Sequence, residues 1–191
     1  MAVQIAEEGP GALAAYASIA IAFRVESILR PEPVEGGLKG LRLIEEKVAT
    51  PYVKDYDREE GEGPLNWSRL CDVSRWGILS AHQGPERVGG AAVAWGTPEV
   101  HMLEGRSDLA ALWDIRVAPG HRGAGIGARL FAAAVAWARG RGCRLLKAET
   151  QNTNVAACRF YAAQGCTLRG IHVGAYPACP EEVQLLWYLD L

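Results

Sequence analysis

From Leu112 to Gly127 the chain reads LWDIRVAPGHRGAGIG, and Arg122-x-x-Gly125-x-Gly127 opens the apolar run that follows. These residue types at this spacing suit one task, the holding of a phosphate-bearing ligand. Leu112, Ile115 and Val117 are strand formers, Pro119-Gly120 breaks the strand, and Ile126–Trp137 continues at helical spacing. In such a strand–turn–helix the first backbone N–H groups of the helix are unpaired and the positive end of its dipole lies behind them. Glycines keep Cβ atoms from standing between ligand oxygens and those amides, and an arginine beside them adds charge-assisted hydrogen bonds. Arg122, Gly123, Ala124, Gly125, Gly127 and Ala128 therefore form the expected pyrophosphate cradle.

A dinucleotide fingerprint is the rival reading. Gly123-x-Gly125-x-x-Ala128 fits its pattern, and Glu149 lies downstream where a ribose contact is made in that motif. In that motif, however, the first glycine follows the strand almost directly. Here Ala118-Pro119-Gly120-His121-Arg122 intervenes, and too little chain remains after the cradle for the other strands of a dinucleotide fold.

The elements that position the cradle are bounded by composition. With 191 residues the chain is expected to be one domain, 1–191, with 1–22 as a lead-in and 109–165 as the ligand-binding core. A net charge of −2 and a pI near 6.1 argue against a nucleic-acid partner. Five cysteines without a C-x-x-C pair indicate neither zinc nor a disulfide framework, and the four histidines show no metal-ligand spacing, so no metal is expected. The N-terminal MAVQIAEEGPG lacks the features of an export signal, and no run of about 18 uncharged apolar residues occurs. The expectation is a cytoplasmic protein without a membrane partner.

In chain order, residues 10–22 read as a short helix leading into a strand at Phe23–Ile28. Pro31, Pro33, Gly36, Gly37 and Gly40 read as a loop, and Leu41–Val48 as a second extended segment. Asp55, Asp57, Glu59, Glu60 and Glu62 form an acidic stretch, either a solvated loop or a lid attracting a cationic substrate. Trp76–His82 and Val88–Trp95 carry a hairpin signature, and Leu109–Val117 is the strand entering the cradle. Cys143–Thr150 is a strand, Asn152-Thr153-Asn154 caps a helix over Val155–Gln164 that Gly165 stops, and Cys166–Val173 and Val183–Leu189 are extended. The order implies a mixed α/β (α+β) fold.

The cradle, followed by Asn154-x-x-Ala157-x-x-x-Tyr161 and Gly165, resembles the GCN5-related N-acetyltransferase (GNAT) family. FRVESIL, TPYVKDYD, ETQNTNVAACRFYAAQGCTLRG and the terminal WY are similar to streptothricin acetyltransferases in particular. The resemblance implies a central mixed, mostly antiparallel sheet of about six to seven strands flanked by helices. It also implies acetyl-CoA as donor, with its pyrophosphate on Arg122–Ala128 and its pantetheine along the backbone of Ile115 and Val117. Asn154 would meet the same arm, although capping alone explains an Asn there. The acceptor would be an amine, and the chain a monomer or homodimer.

Acetyl transfer from a thioester to an amine requires a neutral amine, a polarised carbonyl and a proton for the departing thiolate. Glu149 is the first expected general base, at a position that carries the base in some relatives, and Asp114 is the second. Tyr161 is the expected general acid, reaching the sulfur in the resemblance. The N–H of Val117 is placed to polarise the carbonyl. Asp55, Tyr56 and Tyr176 are the expected acceptor contacts, with Asp57, Glu59 and Glu60 as further readers of positive charge. Cys158 is expected to pack and not to form a covalent intermediate, so transfer is direct. The alternatives to a small cationic acceptor are a protein N-terminus or lysine, and a non-catalytic acyl-CoA sensor.

Overall fold

The computed structural model of the chain describes residues 2–58 and 63–191. The strands and helices follow as β1 (Val3–Glu8), α1 (Leu13–Tyr16), β2 (Phe23–Pro33), β3 (Leu41–Lys54), α2 (Pro64–Leu70), β4 (Gly77–Gln83), β5 (Glu86–Ala94), β6 (Leu109–Val117), α3 (Ile126–Gly140), β7 (Leu145–Gln151), α4 (Val155–Ala163), β8 (Thr167–Val173) and β9 (Val183–Asp190). A seven-stranded sheet has the order β1-β4-β5-β6-β7-β9-β8, and β2 pairs with β3. It is a mixed, mostly antiparallel sheet with helices against it, as expected. The chain divides into two compact units, one made of the residues up to Ile21, Asp55–Ala148 and Tyr188–Leu191, the other of Ala22–Lys54 and Glu149–Trp187.

In the first unit β5 is covered on both faces, which explains its small residues. Successive side chains of a strand point to opposite faces. A Cβ at Gly89 would meet Leu130 of α3 at 3.1 Å, whereas one at Gly90 would meet the ring of Tyr16 at 2.4 Å. Ile126, Leu130, Ala134, Trp137 and Ala138 form the buried stripe of α3. On the other face Tyr16, Trp67, Trp76 and Trp113 follow one another with ring centroids 5.7, 5.9 and 5.4 Å apart.

β6 carries a bulge. Ala92 pairs with Asp114 but Val93 with Leu112, so Trp113 is the extra residue. Asp114 and Arg116, opposite Ala92 and Gly90, therefore lie on the face of Tyr16, and Ile115 and Val117 lie on the face of α3. Ala118 N–H bonds Val88 O at 2.9 Å, which makes 118/88, 116/90 and 114/92 the hydrogen-bonded pairs of this antiparallel ladder. The backbone groups of Ile115 and Val117 accordingly point away from β5. The parallel ladder on their side, to β7, runs from Leu109/Leu145 to Leu112/Ala148.

In the second unit Asn152, 2% exposed, acts as a buried knot. Its side chain donates to Leu29 O at 3.2 Å and accepts from Val183 N–H at 2.9 Å, while its backbone bonds Val183 O and Leu29 N–H. Lys54 and Glu182 form an ion pair with both side chains nearly buried.

Several expectations on the N-terminal third are corrected. The 10–22 helix is only a 3-10 turn at Pro10–Ala12 and one turn at Leu13–Tyr16. The lead-in holds strand β1, and α2 follows the acidic stretch. The loop expected at Pro31 and Pro33 is ladder, pairing with Leu43 and Leu41. Val34 N–H bonds Gly40 O, so the even positions of β2 face its partner and both prolines turn their nitrogens outward, where no bond is lost. Glu59, Glu60 and Glu62 lie outside the described residues.

A Cβ at Gly77 would stand 2.4 Å from the Trp137 ring. Gly77→Ala is expected to lower stability by about 1–3 kcal/mol through overpacking, read as a lower urea midpoint with an unchanged m-value.

Candidate functional site

The strand, turn and helix expected around the candidate cradle are present. β6 ends at Val117, a 3-10 turn covers Pro119–His121, and Gly125 caps α3. Gly123 and Gly125 have φ of +81° and +78°, conformations that a side chain would strain. A Cβ at Gly120, Gly123 or Gly125 would meet nothing within 4 Å, so the space beside them is open. The N–H of Arg129 bonds Gly125 O at 3.2 Å, and the amides before it begin the helix without an intrahelical acceptor. Arg122 donates through Nε to Val117 O at 3.0 Å and through Nη2 to Ala20 O at 3.2 Å. Both of these acceptors are backbone carbonyls. His121 Nδ1, in the same turn, is buried with no hydrogen-bond partner among the described residues.

Asp114 does not stand ready as a base. Its Oδ1 accepts from Tyr16 OH at 2.5 Å and Arg116 Nε at 2.9 Å, and its Oδ2 from Arg116 Nη2 at 2.7 Å. Arg116, 1% exposed in its side chain, also donates to Ile19 O and, at 2.7 and 3.1 Å, to both oxygens of Asp57. All five guanidinium N–H groups are thus used. Burial opposes the Arg116 charge, but its bonds to Asp114 and Asp57 outweigh that and raise its pKa above the ordinary arginine value. Burial and the Asp114 charge hold the Tyr16 hydroxyl well above the usual phenol range, so it stays a donor. Asp114 is therefore an ion-pair partner of Arg116. Asp57, expected to read a cation, shares the same guanidinium. Asp55 pairs with Arg58 at 3.2 Å and accepts the Asp57 N–H at 3.2 Å, and Tyr56 lies half-buried in that turn.

In the second unit the structure brings together two of the expected residues and two that sequence reasoning missed. Tyr176 OH donates to Glu149 Oε1 at 2.6 Å, and Gln184 Nε2 donates to Oε2 at 2.8 Å. Gln151 Nε2 in turn donates to Tyr176 OH at 3.2 Å. Glu149 is half-buried, and both of these partners are neutral. Among the described residues it forms no ion pair. Gln184 and Gln151 carry no motif, and the Glu149–Gln184 contact spans too much sequence for local spacing to reveal it.

Asn154 Oδ1 accepts the Ala157 N–H at 3.1 Å, the expected cap of α4. Tyr161 is 5% exposed, its ring edge-on to Phe160 at 5.3 Å and tilted against Trp187 at 6.4 Å. Thr153, also 5% exposed, has a buried Oγ1 without a hydrogen-bond partner among the described residues. Burial pushes the Cys158 thiol up, against the opposing effect of its Thr150 bond, and the Cys166 thiol up to about 11. Both remain protonated at neutral pH and are poor nucleophiles.

These features fit a phosphate-bearing ligand. They are an open glycine turn at a helix start, an arginine donating to two backbone carbonyls, strand groups at Ile115 and Val117 turned away from β5, and an orphaned ring nitrogen at His121. Residues 41–166 match the family model described as Acetyltransferase (GNAT) family. A streptothricin acetyltransferase of Streptomyces lavendulae is 37% identical over 152 residues, covering 80% of this chain and 76% of that protein. Another, of Escherichia coli, is 39% identical over 85 residues, 43% of this chain, so the match spans about half (49%) of that relative. Among solved structures, a candidate streptothricin acetyltransferase from Bacillus anthracis in complex with acetyl coenzyme A is 24% identical, with 100% of each chain covered and a TM-score of 0.77, a likeness of fold.

Arg116→Met is expected to cost about 3–5 kcal/mol, because two carboxylates lose their cation. Adding Asp114→Asn should restore part of that loss. Urea unfolding of the single and double variants checks both.

Proposed function

The chain belongs to the acetyltransferase (GNAT) family, and on that premise we propose that it transfers the acetyl group of acetyl-CoA directly to a primary amine of a small cationic molecule, with a streptothricin-like antibiotic as first candidate. The observation that carries this reading is the state of Glu149. It is a half-buried carboxylate held by two neutral donors, with no cation paired to it among the described residues. An ammonium group supplies the charge it lacks, and a carboxylate so placed also accepts the ammonium proton. The likeness to streptothricin acetyltransferases supports an acceptor of that kind.

When bound, acetyl-CoA supplies an activated thioester. Arg122 and the amides of Gly123, Ala124, Gly125, Gly127 and Ala128 hold its pyrophosphate, by charge and by hydrogen bonds at the start of the helix. Ile115 and Val117 receive the pantetheine on backbone groups turned away from β5, and Asn154 holds the same arm. The Val117 N–H polarises the acetyl carbonyl, which places partial positive charge where negative charge develops. Glu149 takes the proton that the ammonium must lose, the amine nitrogen bonds to the acetyl carbon, and the carbon–sulfur bond breaks. Tyr161 gives its phenolic proton to the departing sulfur and regains one from water. Asp55 and Tyr56 border the acceptor.

Free-thiol release from acetyl-CoA, measured against streptothricin, aminoglycosides, polyamines, amino acids and an N-terminal peptide, tests the reading. Turnover with the small cationic amines and none with the peptide is the expected result. Turnover confined to the peptide would sink it. Tyr161→Phe should lower kcat by about 10²–10⁴-fold with acetyl-CoA binding nearly unchanged, since it removes a proton donor and little surface. Collapse of binding in calorimetry would instead make Tyr161 structural.

A further inference from the structure

The loop between β8 and β9 is tethered to its own unit at several points. Tyr176 OH reaches Glu149, Cys179 N–H bonds Tyr176 O at 2.9 Å, and Glu182 N–H bonds Cys179 O at 2.9 Å. Glu182 is then fixed by Lys54, whose ammonium lies 2.5 and 2.6 Å from its two oxygens, and Gln184 follows two residues later on β9. Each oxygen of Glu149 thus receives a donor carried by an anchored segment. The Tyr176 hydroxyl is itself oriented, because Gln151 donates to it and its proton is left to point at Glu149.

We propose that Tyr176 and Gln184 are positioning residues that fix the rotation of the Glu149 carboxylate without lending it a cation. The proposal rests on the reading of Glu149 as general base. Two hydrogen bonds to the charged form favour that form, and neutral donors leave its net charge for the acceptor. A lysine or arginine in either place would hold an oxygen at least as firmly but would repel an ammonium. Each carboxylate oxygen keeps a lone pair for the incoming proton. Tyr176 thereby acts through Glu149 and is not itself the acceptor contact expected from the sequence.

The test is the pH dependence of kcat/KM for the acetylated amine in wild type, Tyr176→Phe, Gln184→Met and Glu149→Gln, with acetyl-CoA affinity measured by calorimetry on each. Tyr176→Phe and Gln184→Met should each move the acid limb to higher pH by about one unit, roughly a tenfold loss below the limb. Acetyl-CoA affinity should stay within about twofold, because neither change touches that ligand. In Glu149→Gln the limb should vanish. An acid limb retained in Glu149→Gln would overturn the general-base reading and the positioning role with it. A limb lost in Glu149→Gln but unmoved in the other two would overturn the positioning role alone. A rise in acceptor KM with the limb in place would show Tyr176 to be a direct contact. Thermal denaturation of each variant identifies any that fails by unfolding, and in that case Gln184→Glu, which sets a second carboxylate beside Oε2, must raise the limb further.

Discussion

One extra residue in β6 sets the phase of everything that follows it. Up to and including the bulge residue, Ala111 and Trp113 face the aromatic cluster, and a regular strand would send Ile115 and Val117 to the same side. The bulge at Trp113 reverses the alternation. Asp114 and Arg116 turn toward Tyr16, where a hydroxyl, a carbonyl and Asp57 receive them, and Ile115 and Val117 turn to the apolar face of α3. Without the bulge two charges would be pressed against Leu130 and Ile126. The same phase decides the backbone. It is the odd positions, 115 and 117, whose N–H and C=O groups point away from β5, so the device that buries an ion cluster also presents a hydrogen-bonding strand edge.

The fold was legible wherever one short-range rule governed. The alternation of Leu109–Val117, the Pro119-Gly120 break and the apolar stripe of α3 depend on residues close in sequence, and all three stand as read. The Asn154 cap and the stop at Gly165, with φ of +85°, are likewise local. Pro31 and Pro33 misled because proline ordinarily interrupts a ladder, yet in a two-stranded ribbon either strand has an outward edge on which its missing N–H is harmless. Strand β1 was missed because VQIAEE shows little alternation and stands at the edge of its sheet, where one face suffices.

The site was legible in its types and not in its pairings. The glycines and arginine of the proposed phosphate cradle could be read at the helix start, because they are local to the turn. Nothing in the sequence says that Asp114 is spent on Arg116, since Tyr16 is 98 residues away and Asp57 is 59 from the arginine. Nor does it announce Gln184, a lone amide on a terminal strand. Two carboxylates that look alike in sequence, Asp114 and Glu149, are separated only by what folding places beside them.

That separation bears on how a cation is recognised. A carboxylate attracts an ammonium in proportion to the charge left after its own partners are counted, and low surrounding polarity magnifies the remainder. Asp57 and Asp114 share one buried guanidinium, so the three groups together retain a single negative charge, spread over two carboxylates, one of which is almost inaccessible. Asp55 is partly offset by Arg58. Glu149 keeps its charge whole, because a phenol and an amide orient a carboxylate without cancelling it. Among the described acids named as readers of positive charge or as bases, it is the one with no cation paired to it.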